Sequence, residues 1–238
     1  MSGHSKWATT RRQKAVVDAK RGIQFTKLSH AITVAAKEGG GDLAANTRLR
    51  LAVETARASS MPKDNIERAI HRGTGALAGM HVESITYEGF GPGSTALFIE
   101  ALTDNRNRTV AEVKNIFSKH SSTLGNPGST AWMFSRYGMV TLSRPEALID
   151  ELALIDLGAD DLMLEDEAIL LLTTVEGLVA LADRARLAGW TVTEATLTYL
   201  PKIPTEFPTG KTGEQLLSLL TTLDEHDDIV NVYCVATA

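Results

Sequence analysis

The sequence predicts an α+β protein of three domains, in which an N-terminal helical bundle precedes two ferredoxin-like α+β domains, the third inserted into the second. Helical periodicity dominates the first part of the chain, and a βαββαβ order, typical of the ferredoxin-like arrangement, begins near residue 137. A further helix and strand follow that unit. They are the helix and strand that the ββαβ segment before the insert lacks for a ferredoxin-like unit of its own. The predicted domains are 1–76, then 77–136 together with 197–238, and the inserted 137–196.

Three helices are predicted in the first domain. Apolar residues recur at the spacing of one helix face from Phe25 onward, and three consecutive glycines from Gly39 end that helix, because glycine loses the most backbone entropy on folding. Asn46 is a favourable N-cap for a second helix. Pro62 suits the first position of a third helix, which is expected to stop at Gly73.

The pattern changes to strands and helices after residue 80. The segments ESITYEGF (83–90) and STALFIEAL (94–102) have the character of strands. The stretch from Thr109 to Glu112 matches a capping box and predicts a helix that begins there. STAWMFS (129–135) is predicted as the following strand, and the βαββαβ unit, a helix and a last strand come after it.

Charge is distributed unevenly along the chain. The formal net charge is −5, yet residues 1–72 hold 14 Lys and Arg against 6 Asp and Glu. The remaining residues hold 10 basic and 23 acidic side chains, and the segment 145–183 holds eleven acids and no Lys or Arg. This separation of charge indicates that one face of the protein binds a polyanion and that the rest of its surface repels it. Nucleic acid is the commonest polyanion of a cytoplasm.

Several other classes of protein are disfavoured. One cysteine, Cys234, allows no internal disulfide and suits a reducing compartment. The most apolar stretch is interrupted by Glu176 and is too short to span a bilayer, so a cytoplasmic protein without a membrane partner is expected. The histidines lack metal-ligand spacing, and a P-loop glycine is missing because Thr205 takes its place. We therefore expect no catalytic residue, no metal or other cofactor and no small-molecule substrate, and a solvated acidic turn at Asp224–Asp228.

A basic arm opens the chain and is the main candidate interface. Its seven basic residues face one acid, Asp18, and can neutralise phosphates with release of counterions. Trp7 can stack on an exposed base or ribose, although a hydrophobic anchor that holds the arm to the bundle explains it equally well. A solvated helix face is the weaker alternative for the basic run. The arm residues assigned to nucleic-acid binding are Lys6, Trp7, Arg11, Arg12, Lys14, Lys20, Arg21 and Lys27.

A second candidate lies at residues 104–108, immediately before the helix predicted to start at Thr109. Arginine and amide side chains at a helix N-terminus suit an anion such as phosphate. Ordinary turn chemistry uses Asp and Asn at such places as well, so both interpretations stay open. The residues assigned to this candidate are Asn105, Arg106, Asn107 and Arg108.

Several sequence blocks resemble those of the YebC/PmpR family over essentially the whole chain. They include GHSKWA (3–8), DAKRG (18–22), MPKDNIERAI (61–70), YEGFGPG (87–93) and DNRNRTVAEV (104–113). The resemblance implies a helical first domain and two related α+β domains, with the third inserted in the second, in agreement with the pattern above. It also implies a protein that is not an enzyme.

The resemblance leaves the nucleic acid open. Bacterial members are commonly described as transcriptional regulators that bind DNA. The similar mitochondrial translational activator of cytochrome c oxidase, and members connected with ribosomes stalled on proline runs, imply a translation factor on ribosomal RNA. The residues favour RNA, because no helix-turn-helix, zinc finger or leucine zipper is evident and the Ile66 helix is predicted to have only about two turns. A third hypothesis is an adaptor that binds protein through the acidic insert.

Overall fold

The computed structural model describes residues 21–76, 83–143, 150–165 and 168–237 of the chain. The first domain contains three helices, α1 (Arg21–Gly39), α2 (Thr47–Ala58) and α3 (Lys63–Thr74). Apolar side chains from all three helices form its core, which includes Ile32, Leu49, Val53 and Ile66. No helix among the described residues is long and apolar enough to cross a membrane.

Asn46 fixes the connection between α1 and α2. Its side-chain oxygen accepts a hydrogen bond from the Leu49 amide at 3.0 Å, which confirms the predicted N-cap. Its side-chain amide donates to the carbonyl oxygens of Ala35 and Gly40 at 2.8 and 2.9 Å. One buried side chain therefore caps the start of α2 and the end of α1 together.

The predicted end of α3 is wrong by two residues. The helix continues through Gly73 to Thr74, and Gly75 ends it in the left-handed conformation, with φ of 73°. Gly73 instead permits close packing of α3 on α1, because a Cβ there would lie 2.7 Å from the Cβ of Ala36. Gly73 therefore serves a contact between two helices, which the local sequence does not reveal. The α3 helix has 12 residues and is longer than the two turns predicted from the sequence.

The second domain is built on an antiparallel sheet in the order β3–β1–β2–β9. Two helices cover one face of it, and their core contacts include Leu97, Ile99, Phe117, Leu216 and Leu219. The bounds of these elements are β1 (Glu83–Gly91), β2 (Thr95–Thr103), α4 (Arg106–Lys119), β3 (Thr123–Leu124), α7 (Gly210–Asp224) and β9 (Ile229–Cys234).

The inserted segment forms a second antiparallel sheet in the order β5–β6–β4–β7, the strand order of a ferredoxin-like unit. Its elements are β4 (Phe134–Ser143), α5 (Glu151–Asp156), β5 (Asp161–Leu164), β6 (Ala168–Thr173), α6 (Leu178–Leu187) and β7 (Val192–Pro201). A short parallel pair, β8 (Thr205–Glu206) and β10 (Ala236–Thr237), completes the fold. The α+β fold class predicted from the sequence is confirmed.

The three units pack on one another through apolar and aromatic contacts. Leu51 of α2 belongs to the core of the second sheet. Tyr199 of β7 packs on Phe98 of the first sheet, with ring centroids 4.8 Å apart, and lies 5.3 Å from the ring of Tyr233. The Leu51 contact therefore joins the first domain to the third, and the aromatic contacts join the second domain to the third.

Glu88 holds the loop between β3 and β4. Its carboxylate is 5% exposed and accepts backbone hydrogen bonds from Gly128, Thr130 and Ala131 at 2.7, 2.6 and 2.7 Å. These bonds hold Ala131–Met133 as a 3₁₀ turn, so the strand predicted over 129–135 begins only at Phe134. Burial alone would raise the pKa of Glu88, but these hydrogen bonds outweigh it and the pKa lies below its ordinary value.

We expect Glu88→Gln to destabilise the protein by about 1.5 to 3 kcal/mol, because charge-assisted bonds are lost and a donor NH₂ then faces backbone donors. Glu83→Gln, at the exposed start of the same strand, is the matched control and should be nearly neutral. Denaturant unfolding measures both. Because the pKa of Glu88 is lowered in the folded state, the difference in free energy of unfolding between Glu88→Gln and the wild-type protein is largest above pH 4.5, the ordinary glutamate value. This difference decreases as the pH falls below 4.5. Equal stability of the two variants at pH 7 would contradict this role.

Candidate nucleic-acid interface

Most of the predicted arm lies outside the described residues. This applies to Lys6, Trp7, Arg11, Arg12, Lys14 and Lys20. Arg21 is the first described residue of α1, and its side chain is not among those described. Both interpretations of Trp7 and the phosphate contacts of the arm therefore stay predictions.

Lys27 is engaged within the chain. Its ammonium forms an ion pair with the carboxylate of Asp224, at the end of α7, and both side chains are mostly buried. A phosphate at this position would have to compete with a carboxylate that has little access to water. Lys27 therefore joins the first domain to the second, whatever else it contacts.

The acidic turn between α7 and β9 is only partly the solvated turn that the sequence predicts. Asp224 is 7% exposed, and the side chain of Asp228 is 13% exposed. Thr103 and Thr109 donate hydroxyl hydrogen bonds to Oδ2 of Asp228 at 3.1 and 2.6 Å. The expectation of solvated acids is wrong for Asp224 and Asp228, because they pair with cations of α1 and α4, whereas Glu225 and Asp227 are exposed as predicted.

The capping box predicted at Thr109 is also wrong. The α4 helix begins at Arg106, and Asn105 is its N-cap, accepting a hydrogen bond from the Arg108 amide at 3.1 Å. The Thr109 hydroxyl is fully buried and donates to Asp228 instead of capping the helix. The sequence pattern predicts that the Thr109 side chain caps the helix, but in the structure it bonds a carboxylate 119 residues away in sequence.

Arg108 is committed to a carboxylate cluster. Its Nη2 lies 2.8 and 3.1 Å from the two carboxylate oxygens of Asp228 and 3.1 Å from Oδ1 of Asp104. Burial alone would raise the pKa of Asp228, but the hydrogen bonds from Arg108, Thr109 and Thr103 and the charge of Arg108 keep it below its ordinary value. Arg108 therefore acts as a structural tie between α4 and the acidic turn.

Arg106 and Asn107 have a different environment from Arg108. Both are exposed in the first turn of α4. Within the described parts of the chain Arg106 has no ion pair, so its guanidinium is available to an external anion beside the helix N-terminus. All four residues assigned to this candidate are exposed, but Asn105 caps the helix and Arg108 forms a structural ion pair, whereas Arg106 and Asn107 have neither role.

A possible cation site lies at the same place. One ligand atom each from Glu112, His226 and Asp228 fall within 4.8 Å of one another. Arg108 already occupies this position, because its guanidinium bonds Asp228 and its Nε lies 4.0 Å from Oε2 of Glu112. A metal ion would have to displace a fixed positive charge, so we assign no metal to this cluster.

A cleft that the sequence does not predict lies between α1 and α3. Ser29 and His30 of α1 line it on one side, and Asn65, Arg68 and Arg72 of α3 line it on the other. Arg68 and Arg72 are four residues apart and so share a helix face, which was the one local signal. The opposing side chains come from a helix more than thirty residues earlier, and periodicity alone does not bring them together.

We expect Arg106 and Arg108 to separate binding from stability. Arg108→Ala leaves a largely buried Asp228 without its cation and should lower the thermal midpoint by at least about 4 °C. Arg106→Ala should leave the midpoint almost unchanged and weaken binding to an oligonucleotide roughly twofold to threefold. Thermal unfolding and fluorescence anisotropy measure the two effects. Unchanged affinity of Arg106→Ala would show that the α4 N-terminus is an ordinary capped turn.

Known proteins resemble this chain over nearly its full length. A "Probable transcriptional regulatory protein" of Dictyoglomus turgidum is 43% identical, covering 98% of this chain and 94% of the relative. One of Geobacter sulfurreducens is 45% identical, with 98% and 94% covered. The crystal structure of a conserved hypothetical protein of Aquifex aeolicus superposes with a TM-score of 0.84 at 37% identity, covering 93% of this chain and 92% of that one.

Family profiles agree with these similarities. The profile described as "TACO1/YebC protein N-terminal domain" matches residues 5–76. The profile described as "TACO1/YebC second and third domain" matches residues 82–236. The resemblance found in the sequence blocks is thereby confirmed, and the chain belongs to the TACO1/YebC family.

Proposed function

We propose that this chain is a YebC-type transcriptional regulator that acts by binding nucleic acid and catalyses no reaction. The observation that carries the proposal is the separation of charge between the basic first domain and the acidic remainder. The names of the curated relatives, transcriptional regulatory proteins, support the same function.

The pairing of arginines supports this assignment of surfaces. In the second and third domains, Arg108 pairs with Asp228 and Arg186 with Asp183, at 2.8 Å in each case. In the first domain, Arg68 and Arg72 make no ion pair with any described residue. Arg106 of the second domain also makes no ion pair with a described residue, so guanidinium groups that could bind a polyanion lie both in the first domain and at the N-terminus of α4.

DNA is the first candidate partner. The α3 helix is longer than the sequence predicts, since it has 12 residues, and it exposes Lys63, Arg68 and His71 on its surface. A helix of this length can enter a major groove, where polar and basic side chains contact phosphates and base edges.

Ribosomal RNA is the second candidate, favoured by the single tryptophan within the basic arm. An aromatic side chain among cations suits unstacked bases better than a closed duplex. Sedimentation of cell lysate distinguishes the two partners. Co-migration with ribosomes that is lost on charge reversal of the arm selects RNA, whereas a promoter footprint at physiological salt selects DNA.

If four to six arm residues contact phosphates, the logarithm of the binding constant should fall with the logarithm of salt at a slope of very roughly −3 to −5. Charge reversal of Arg11, Arg12 and Lys14 should weaken binding to all sequences alike and flatten that slope. Fluorescence anisotropy over a salt series measures both effects.

The matched control reverses three exposed lysines of the second domain, Lys114, Lys119 and Lys211. It changes the net charge by the same amount but leaves the arm intact, so most of the affinity should remain. Equal losses in the two variants, or a slope near zero for the wild-type protein, would contradict the proposed interface.

A further inference from the structure

The cleft between α1 and α3 has the composition of an anion site. It has a volume of about 270 Å³, and hydroxyl, amide, imidazole and guanidinium groups line it. Those side chains are Ser29, His30, Asn65, Arg68 and Arg72. Each of these groups can donate a hydrogen bond, and no carboxylate lies among the lining residues.

The two arginines supply the charge of the cleft. Arg68 is exposed and Arg72 is half-buried, and they lie on the same face of α3. Neither makes an ion pair or a side-chain hydrogen bond with the described residues, in contrast to Arg48, which pairs with Glu38. Two guanidinium groups that converge on a concave surface without a carboxylate favour an oxyanion, and above all a phosphate.

His30 adds a polar group that lacks a partner. The residue is 6% exposed, and its Nδ1 is buried without a hydrogen-bond partner in the described structure. Burial, followed by the charge of Arg72, lowers its pKa to about 4, while Asp228 and Asp227 act in the opposite direction. The ring is therefore neutral near pH 7, and an anion in the cleft would favour its protonation by offsetting Arg72.

We propose that the α1–α3 cleft binds a phosphate group of a nucleic-acid chain through Arg68 and Arg72, with His30, Ser29 and Asn65 as further hydrogen-bonding groups. This inference rests on the proposed nucleic-acid function. The cleft has room for more than one phosphate group, and the exposure of Arg68 leaves it accessible to a continuing chain. Arg21 and Lys27 of the basic arm belong to α1, the same helix that carries Ser29 and His30.

The test combines affinity with a direct signal from the cleft. The double variant Arg68→Ala/Arg72→Ala is compared with Lys37→Ala/Arg57→Ala, which removes two positive charges from exposed positions of the same domain outside the cleft. For the cleft variant we expect about a tenfold loss of affinity for a 12-nucleotide strand, with the salt slope reduced by roughly 1 to 2. The control should lose about twofold or less.

The imidazole signals of His30 provide the second measurement, followed by NMR against pH in the full-length protein. Binding of the oligonucleotide should raise the pKa of His30 above its value of about 4 in the free wild-type protein. Because Arg72 lowers that pKa, its removal changes the free value too, so the quantity compared is the shift on binding. Oligonucleotides with and without a 5′-phosphate distinguish a terminal phosphate from an internal one, and either result supports the site.

Three outcomes would overturn the proposal. The first is wild-type affinity of a folded cleft variant, together with unmoved His30 signals in the wild-type complex. In that case the proposed function stands and the cleft assignment fails. The second is that the His30 signals respond to inorganic phosphate but not to the oligonucleotide, which marks an adventitious ion only. The third is a wild-type protein that binds neither DNA nor RNA, which removes the proposed function itself. If the cleft variant does not fold, the His30 shift in the wild-type complex still decides.

Discussion

The acidic turn between α7 and β9 is the contact on which the arrangement of the domains depends. Asp224 pairs with Lys27 of the first domain, and Asp228 pairs with Arg108 of α4. Both carboxylates are largely withdrawn from water, and a buried carboxylate without its cation is strongly destabilising. The energetic requirement that these charges stay paired therefore fixes where α1 lies relative to the first sheet.

This arrangement divides the positive charge of the chain into two groups. Cations such as Lys27 and Arg108 neutralise the molecule's own carboxylates, whereas Arg68 and Arg72 make no such pair with the described residues. Screening limits repulsion from the acidic insert to about 8 Å at physiological salt. The charge of the insert is therefore screened at any part of the first domain that lies more than about 8 Å from it.

Local patterns predicted the elements that depend on local contacts. The N-cap at Asn46, the apolar face of α1 and the ferredoxin-like order of the insert follow from residue spacing, and the structure confirms them. The capping box at Thr109 failed because Asp228, far away in sequence, takes its hydroxyl. The strand predicted over 129–135 was shortened because Glu88, about forty residues earlier, holds the loop as a turn. The cleft was missed for the same reason, since Arg72 meets His30 only after α1 and α3 pack together.

Nucleic acid is proposed to bind the basic first domain while the acidic insert makes no contact with it, and photo-cross-linking locates the bound strand on the protein. Oligonucleotides that carry photoreactive bases would be cross-linked to the full-length protein, and the attached peptides mapped by mass spectrometry. We expect cross-links within residues 1–30 and 61–76. Cross-links concentrated in the acidic segment 145–183, with none in the first domain, would contradict it.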